Sequence, residues 1–267
     1  MICQSLYVLL AKDLVKMFHK KKPSNNELLI FGKHPVVAAL HNPKRKCKNL
    51  YTTKAIWQEL APKFPELKAS LHILEVHQID MMLPIGSNHQ NIILETFPLK
   101  ALDLEDILAE TSSKTTSCLL ILDQVTDPHN IGAIIRSAAA FSADAVILPE
   151  HHSPKENNTI VKCAAGACEA VPMVVVTNIA NCIKTLKKEG YWIIGLDGHT
   201  SLELNQSIFS DKIVIILGSE EGGMRKLTKE NCDYLVKIPI SANLESLNVS
   251  NAAAIALYEY SKYSITK

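Results

Sequence analysis

From Cys118 to Tyr263 the chain alternates short apolar runs with segments of helical pattern, and this alternation leaves few folds open. The runs Cys118–Val125, Ala143–Leu148, Met173–Val176, Trp192–Leu196, Ile213–Leu217 and Leu235–Ile240 predict strands. Ile131–Phe141, Thr159–Ala170, Ile179–Lys188, Met224–Cys232 and Ser246–Tyr263 predict helices. Strands that are apolar on both faces must be covered on both, so these runs point to a parallel sheet between layers of helices. In such α/β sheets ligands bind beyond the C-terminal ends of the strands, so the residues that follow each strand are where function is sought.

A smaller α/β pattern comes first. Leu28–Phe31 reads as a strand, His34–Leu40 as a helix with Pro35 in its first turn, Leu50-Tyr51 as a strand and Ala55–Leu60 as a helix. Leu71–Val76 and Asn91–Thr96 complete the strands. The expected organisation is an extension at 1–26, a small domain at 27–97, a connector at 98–117 and the larger domain at 118–267. In the extension an apolar run (Ser5 to Ala11) precedes the basic Lys20-Lys21-Lys22, the reverse of a signal peptide's order. With 47% hydrophobic and 21% charged residues, the chain has the composition of a globular protein with a substantial core. A net charge of +1 excludes an overall basic coat but leaves room for local patches, of which Lys44, Arg45, Lys46 and Lys48 form one. Seven cysteines with no C-x-x-C pair suggest free thiols in a reducing compartment, hence the cytoplasm, and no spacing that would hold a metal. No apolar run reaches membrane-spanning length, so no membrane association is expected.

Three polar blocks follow predicted strands. In the first, Asp123, Asp127-Pro128, Asn130, Gly132 and Arg136 lead into a helix that Asp127 caps and Pro128 opens. Asn130 and Arg136 are six residues apart, under two helical turns, so one cleft can receive both, although Arg136 taken alone reads by default as a surface residue. The second block, Leu217 to Met224, holds three glycines after an apolar strand. It reads either as a tight turn or as backbone brought close to a ligand. Glu220 and Glu221 would repel a polyphosphate, and the glycine spacing fits neither a dinucleotide fingerprint nor a phosphate-binding loop. The third runs from Ile238 through Ser246-Leu247-Asn248-Val249-Ser250-Asn251 into Ala252-Ala253-Ala254. Four polar side chains beside an apolar run are either a helix cap or the lining of a site, since unpaired buried polar groups are costly.

Together the three blocks resemble the signature motifs of the SpoU/TrmH family of SPOUT RNA methyltransferases. The resemblance implies a parallel sheet of five or six strands whose C-terminal segment is threaded into a deep trefoil knot, an exception to the rule that chains do not thread loops. It implies a homodimer, S-adenosyl-L-methionine as cofactor and methyl transfer to an RNA ribose 2′-hydroxyl. Gly218, Ile238 and Leu247 would contact the cofactor, with Ser219 and Gly198 as neighbours. Arg136 would be the essential catalytic residue, as base or phosphate clamp, with Asn130, Glu220, Ser246 and Asn248 completing the site.

Residues 27–97 resemble the small L30e-like RNA-binding domain found in members that act on large-subunit rRNA. The likeness rests on Phe31-Gly32-Lys33-His34-Pro35-Val36 and on His89-Gln90-Asn91-Ile92, where Asn91 replaces the usual glycine. Asn tolerates left-handed backbone angles, so the turn is expected to survive. The expected partner is therefore RNA, and the expected target a guanosine of 23S rRNA. A tRNA guanosine 2′-O-methyltransferase and a non-catalytic RNA-binding assembly factor are the alternatives.

Overall fold

The computed structural model describes residues 27–151, 153–241 and 243–265; the N-terminal extension lies outside them. The chain forms two compact units. The first joins the described residues up to Leu99 with Glu156–Gly166, and the second joins Lys100–Lys155 with the chain from Ala167 onward.

In the first unit a four-stranded sheet has the order β1-β4-β2-β3, with β1 Leu28–Phe31, β2 Cys47–Thr52, β3 Ser70–Ile73 and β4 Ile92–Thr96. β4 runs antiparallel to both β1 and β2, whereas β3 pairs parallel with β2. All of β4 is buried: Ile92 to Leu94 as apolar residues that form the core with Ile30, Leu50 and Ile79, and Glu95 through hydrogen bonds from Lys48, Asn49 and Tyr51. Helices α1 (Lys33–His41), α2 (Lys54–Leu60) and α3 (Val76–Asp80) connect the strands. Gln90 and Asn91 turn the chain into β4 with φ of 51° and 60°, the left-handed geometry expected of Asn91. His89 fixes that turn: its Nδ1 accepts the Asn91 N–H at 3.0 Å while Nε2 lies 2.7 Å from Asp80.

Not all of the basic run of this unit stands in the local patch that its sequence suggests. Arg45 is buried and donates to both carboxylate oxygens of Glu156, at 2.8 and 3.1 Å. Lys48 is committed to Glu27 and Glu95, whose bonds raise its pKa to about 12, while Lys44 and Lys46 remain exposed. Glu156 also accepts the Leu99 N–H at 2.5 Å. The segment that follows it forms α6 (Asn158–Ala164), whose Asn158 accepts the Leu29 N–H. This helix packs with β1, and so belongs with the first unit although its sequence lies between two strands of the second. The expected single helix Thr159–Ala170 is divided, because Ala165 adopts φ 51° and a separate turn, Ala167–Glu169, follows in the second unit.

The second unit holds a six-stranded sheet, order β10-β8-β9-β5-β6-β7, parallel throughout. Its strands are β5 Ser117–Asp123, β6 Ala145–Pro149, β7 Met173–Val176, β8 Trp192–Leu196, β9 Lys212–Gly218 and β10 Tyr234–Val236. β5 and β6 are buried along their full lengths, which is why they read as continuous apolar runs. Helices α5 (Pro128–Ala140), α7 (Ile179–Lys188), α8 (Lys226–Glu230) and α9 (Val249–Ile265) complete it. Within the expected connector, α4 (Leu104–Thr111) contributes Leu104 and Ile107 to this unit's core. No disulfide joins the described cysteines, and burial pushes the Cys182 and Cys232 thiols up to about 12, which makes them packing groups rather than nucleophiles. Among the described residues no helix is long and apolar enough to cross a membrane.

Of the expected boundaries that move, two bear on the site. The strand expected over Leu235–Ile240 ends at Val236. Lys237 instead exchanges hydrogen bonds with Leu202 and Leu204, at 2.9 and 2.8 Å, and Pro239 has no N–H to continue a ladder. The closing helix starts at Val249 rather than Ser246, since the Asn248 side chain accepts the Ser250 N–H at 2.9 Å and takes the capping place.

Candidate active site

A cavity of about 500 Å³ lies in the second unit beyond the C-terminal ends of β8, β9 and β10. Three loops wall it: Leu196–His199, Leu217–Met224 and Val236–Ser241, with Leu244–Leu247 closing one side. The volume falls within the range of about 300–1,000 Å³ typical of small-molecule sites. Five carboxylates line it (Asp197, Glu203, Glu220, Glu221 and Glu245) against the two lysines Lys229 and Lys237, so it favours a ligand that carries positive charge over a polyphosphate.

The glycine-rich loop is built by close backbone approach. Ser219 and Gly223 exchange two backbone hydrogen bonds, at 2.9 and 3.2 Å, and the Ser219 hydroxyl accepts the Gly222 N–H at 3.1 Å. This fold-back brings Gly223 over Gly218 so tightly that a Cβ at Gly218 would lie 2.1 Å from the Gly223 carbonyl carbon. Gly198 is a glycine for a different reason. A Cβ there would meet nothing within 4 Å, and the residue lines the cavity, so the protein's own packing does not demand glycine and the space belongs to whatever fills the cavity.

The three polar blocks meet at Glu220. Its Oε1 accepts from Asn248 Nδ2 at 2.7 Å, Asn130 Nδ2 at 3.2 Å and the Val249 N–H at 3.4 Å. Asn248 Nδ2 also reaches Asn130 Oδ1 at 3.0 Å. Asn130 is held there by the start of α5, where Asp127 accepts the His129 N–H and Pro128 occupies the first turn. Residues that are 118 positions apart in sequence thus share one hydrogen-bonded cluster.

Of the residues expected from sequence, Gly198, Gly218, Ser219, Glu220, Ile238, Ser246 and Leu247 line the cavity, and Asn130 and Asn248 join it through Glu220. Arg136 stands apart. It is exposed on α5, about 9 Å further along the helix axis than Asn130, and does not line the cavity.

Sequence reasoning missed two ion pairs. Asp123, wholly buried at the end of β5, accepts from the backbone N–H and the Nε of Arg225 at 2.9 and 2.7 Å, and so anchors the end of the glycine-rich loop to the central strand. The available signal was a charged residue ending a strand that is otherwise apolar, since a buried charge requires a partner. Asp197, just after β8, pairs with Lys229 at 2.8 Å. Burial works to raise its pKa, but the hydrogen bonds from Lys229 and the His199 N–H, with the charges of both residues, hold it below the ordinary carboxylate value.

A parallel α/β sheet with a carboxylate-lined cavity at its strand ends, and three polar motifs meeting at one glutamate, defines a cofactor-binding enzyme class. Residues 117–258 match the SpoU rRNA Methylase family, and residues 29–102 match the RNA 2′-O ribose methyltransferase substrate binding family. This chain belongs to the SpoU rRNA methylase family. It is 40% identical over 237 residues to the 23S rRNA (guanosine-2′-O-)-methyltransferase RlmB of Vibrio vulnificus, covering 86% of this chain and 94% of that one. The enzyme of the same name from Escherichia coli is 36% identical over 240 residues, with 86% and 96% covered. Among solved structures, an AdoMet-bound rRNA methyltransferase from Sinorhizobium meliloti superposes with a TM-score of 0.75 at 22% identity, over 95% of this chain and 94% of that one.

Proposed function

We propose that this chain is an S-adenosyl-L-methionine-dependent methyltransferase that methylates the ribose 2′-hydroxyl of a guanosine in 23S rRNA. The observation that carries the proposal is the meeting of Asn130, Glu220 and Asn248 beside a carboxylate-lined cavity, in a member of this family. The named relatives and the matched substrate-binding region favour rRNA over tRNA. The bound cofactor would supply an electrophilic methyl group on a sulfonium. The residues present suit it: carboxylates complement its positive charge, and Gly198 leaves open space where a larger residue would intrude.

For such an in-line transfer the protein's task is to position the hydroxyl, whose proton would pass to water. In this reading Glu220 fixes the two asparagines, so that the amide groups of Asn130 and Asn248 are oriented before substrate arrives. Gly218, Ser219, Ile238 and Leu247 hold the cofactor, and Ser246 lies beside it. Arg136 is a poor base but has a forked set of donors suited to an RNA phosphate. We assign it the task of clamping the phosphate beside the target ribose. Family membership is what supports a C-terminal segment threaded as a trefoil knot. Family membership favours a homodimer working in the cytoplasm, and Ile255 and Tyr258 on α9 offer a partner exposed apolar surface.

The test uses labelled S-adenosylmethionine with rRNA and tRNA from cells that lack the enzyme. Label is expected in 2′-O-methylguanosine of 23S rRNA. Arg136→Ala should lose transfer by at least about a hundredfold while binding S-adenosylhomocysteine as the wild type does, the loss of a charged contact made to substrate alone. Label confined to tRNA, or normal turnover by the variant, would overturn the assignment.

A further inference from the structure

Five carboxylates line the cavity, but only Asp197 is mostly buried, with 11% of its side chain exposed. Its backbone is fixed by the bond from its N–H to the Val236 carbonyl at 2.8 Å. Oδ1 accepts the His199 N–H at 3.0 Å and Oδ2 pairs with Lys229 at 2.8 Å. A carboxylate offers about four acceptor positions, so these two donors leave about half of its capacity for a ligand. The next residue is Gly198, whose missing side chain leaves open space at the cavity wall.

We propose that Asp197 is the hydroxyl acceptor for the adenosyl ribose of the bound methyl donor, with Lys229 as its positioning residue, an inference that rests on the methyltransferase reading. The choice of a hydroxyl over an ammonium follows from charge. Lys229 already balances the negative charge of Asp197, so little attraction remains for a second cation, while the unused lone pairs still accept neutral O–H donors. Glu220, by contrast, is engaged by three N–H donors and serves the reaction side. Lys229 reaches Asp197 from α8, so it fixes the carboxylate's orientation and keeps it an acceptor only.

The experiment measures binding of S-adenosylhomocysteine and of its 2′-deoxy and 3′-deoxy ribose analogues, without RNA. The wild type should bind the parent compound about tenfold to a hundredfold more tightly than at least one deoxy analogue, as a hydrogen bond to a charged group implies. Asp197→Ala should bind the three alike; Asp197→Asn, whose amide oxygen still accepts but carries no charge, should discriminate less than the wild type and serves as the comparison if the alanine variant fails to fold. In Lys229→Met, binding should be lost on acidification at a higher pH than in the wild type, because the carboxylate has lost the cation that resists its protonation. A merely structural lysine would not move that profile. If the wild type binds S-adenosylhomocysteine but Asp197→Ala and Asp197→Asn discriminate as it does, the inference fails alone. If the wild type binds none of the three, the methyltransferase reading fails and the inference with it.

Discussion

Glu156 and Glu220 each gather several hydrogen-bond donors, but in opposite surroundings. Glu156, in the first unit, has 2% of its side chain exposed, faces an Arg45 side chain with none exposed, and also takes the Leu99 N–H. Glu220, in the second unit, is exposed beside a cavity and takes its donors from Asn130, Asn248 and Val249. The first arrangement leaves no surface for a substrate, so its contribution is to hold three distant segments together. The second spends well-aligned hydrogen bonds on side chains that water and ligands reach, which is the arrangement expected where groups must be oriented before a reaction. Burial, rather than the number of donors, separates a structural glutamate from a functional one.

Variants at the two positions should therefore fail in different ways. Glu156→Gln removes the carboxylate charge that the buried Arg45 side chain faces, and urea unfolding should show a loss of about 3–5 kcal/mol. The double variant Arg45→Met, Glu156→Leu should recover only part of that loss: it removes both buried charges, but the Leu99 N–H and the Phe97 carbonyl lose the hydrogen bonds that Glu156 and Arg45 give them. A loss under about 1 kcal/mol in Glu156→Gln would mean that water reaches the pair. Glu220→Gln should change unfolding by less than about 1 kcal/mol, as exposed substitutions do. Steady-state methyl transfer should nonetheless fall about tenfold to a hundredfold in kcat, since a neutral amide holds the two asparagines less firmly than a carboxylate does. Equal damage to stability and turnover at Glu220 would erase the distinction drawn from burial.

How much of this is readable in the sequence depends on how far apart the interacting residues lie. The sheet of the second unit is legible because each strand announces its burial locally, as a run such as Leu119 to Leu122 with no polar face. The left-handed turn at Asn91 is legible because one residue type carries the constraint. Arg45 is misleading for the converse reason. A basic run looks solvated, and the partner that buries it is 111 residues away. The same distance effect hides the end of β10, where Lys237 leaves the strand to pair with the 202–204 segment. Motif resemblance gathers Asn130, Glu220 and Asn248 into one site, which periodicity cannot do. Asp197 and Lys229 lie outside the motif positions, and their pairing is visible only in three dimensions.

The smallest predicted effect concerns a partly buried group that lies between the two extremes. His72, on β3, stacks on Tyr51 with ring centroids 4.9 Å apart, and its Nε2 lies 3.1 Å from Asn49 Oδ1. Asn49 and Tyr51 in turn donate to Glu95. Burial lowers the His72 pKa from its ordinary value of 6.5, and the charge of Glu95 only partly opposes the shift. A histidine whose pKa is depressed on folding binds its proton more readily when unfolded. Its contribution to stability is therefore complete above about pH 6.5 and is lost as pH falls through the depressed folded value. Urea unfolding across pH 8 to pH 5 should show the wild type losing stability relative to His72→Gln, which cannot protonate and retains an N–H donor for Asn49. The opposite slope would mean that Glu95 rather than burial governs this imidazole, and that the buried Glu95 imposes its charge on its surroundings as Glu156 does on Arg45.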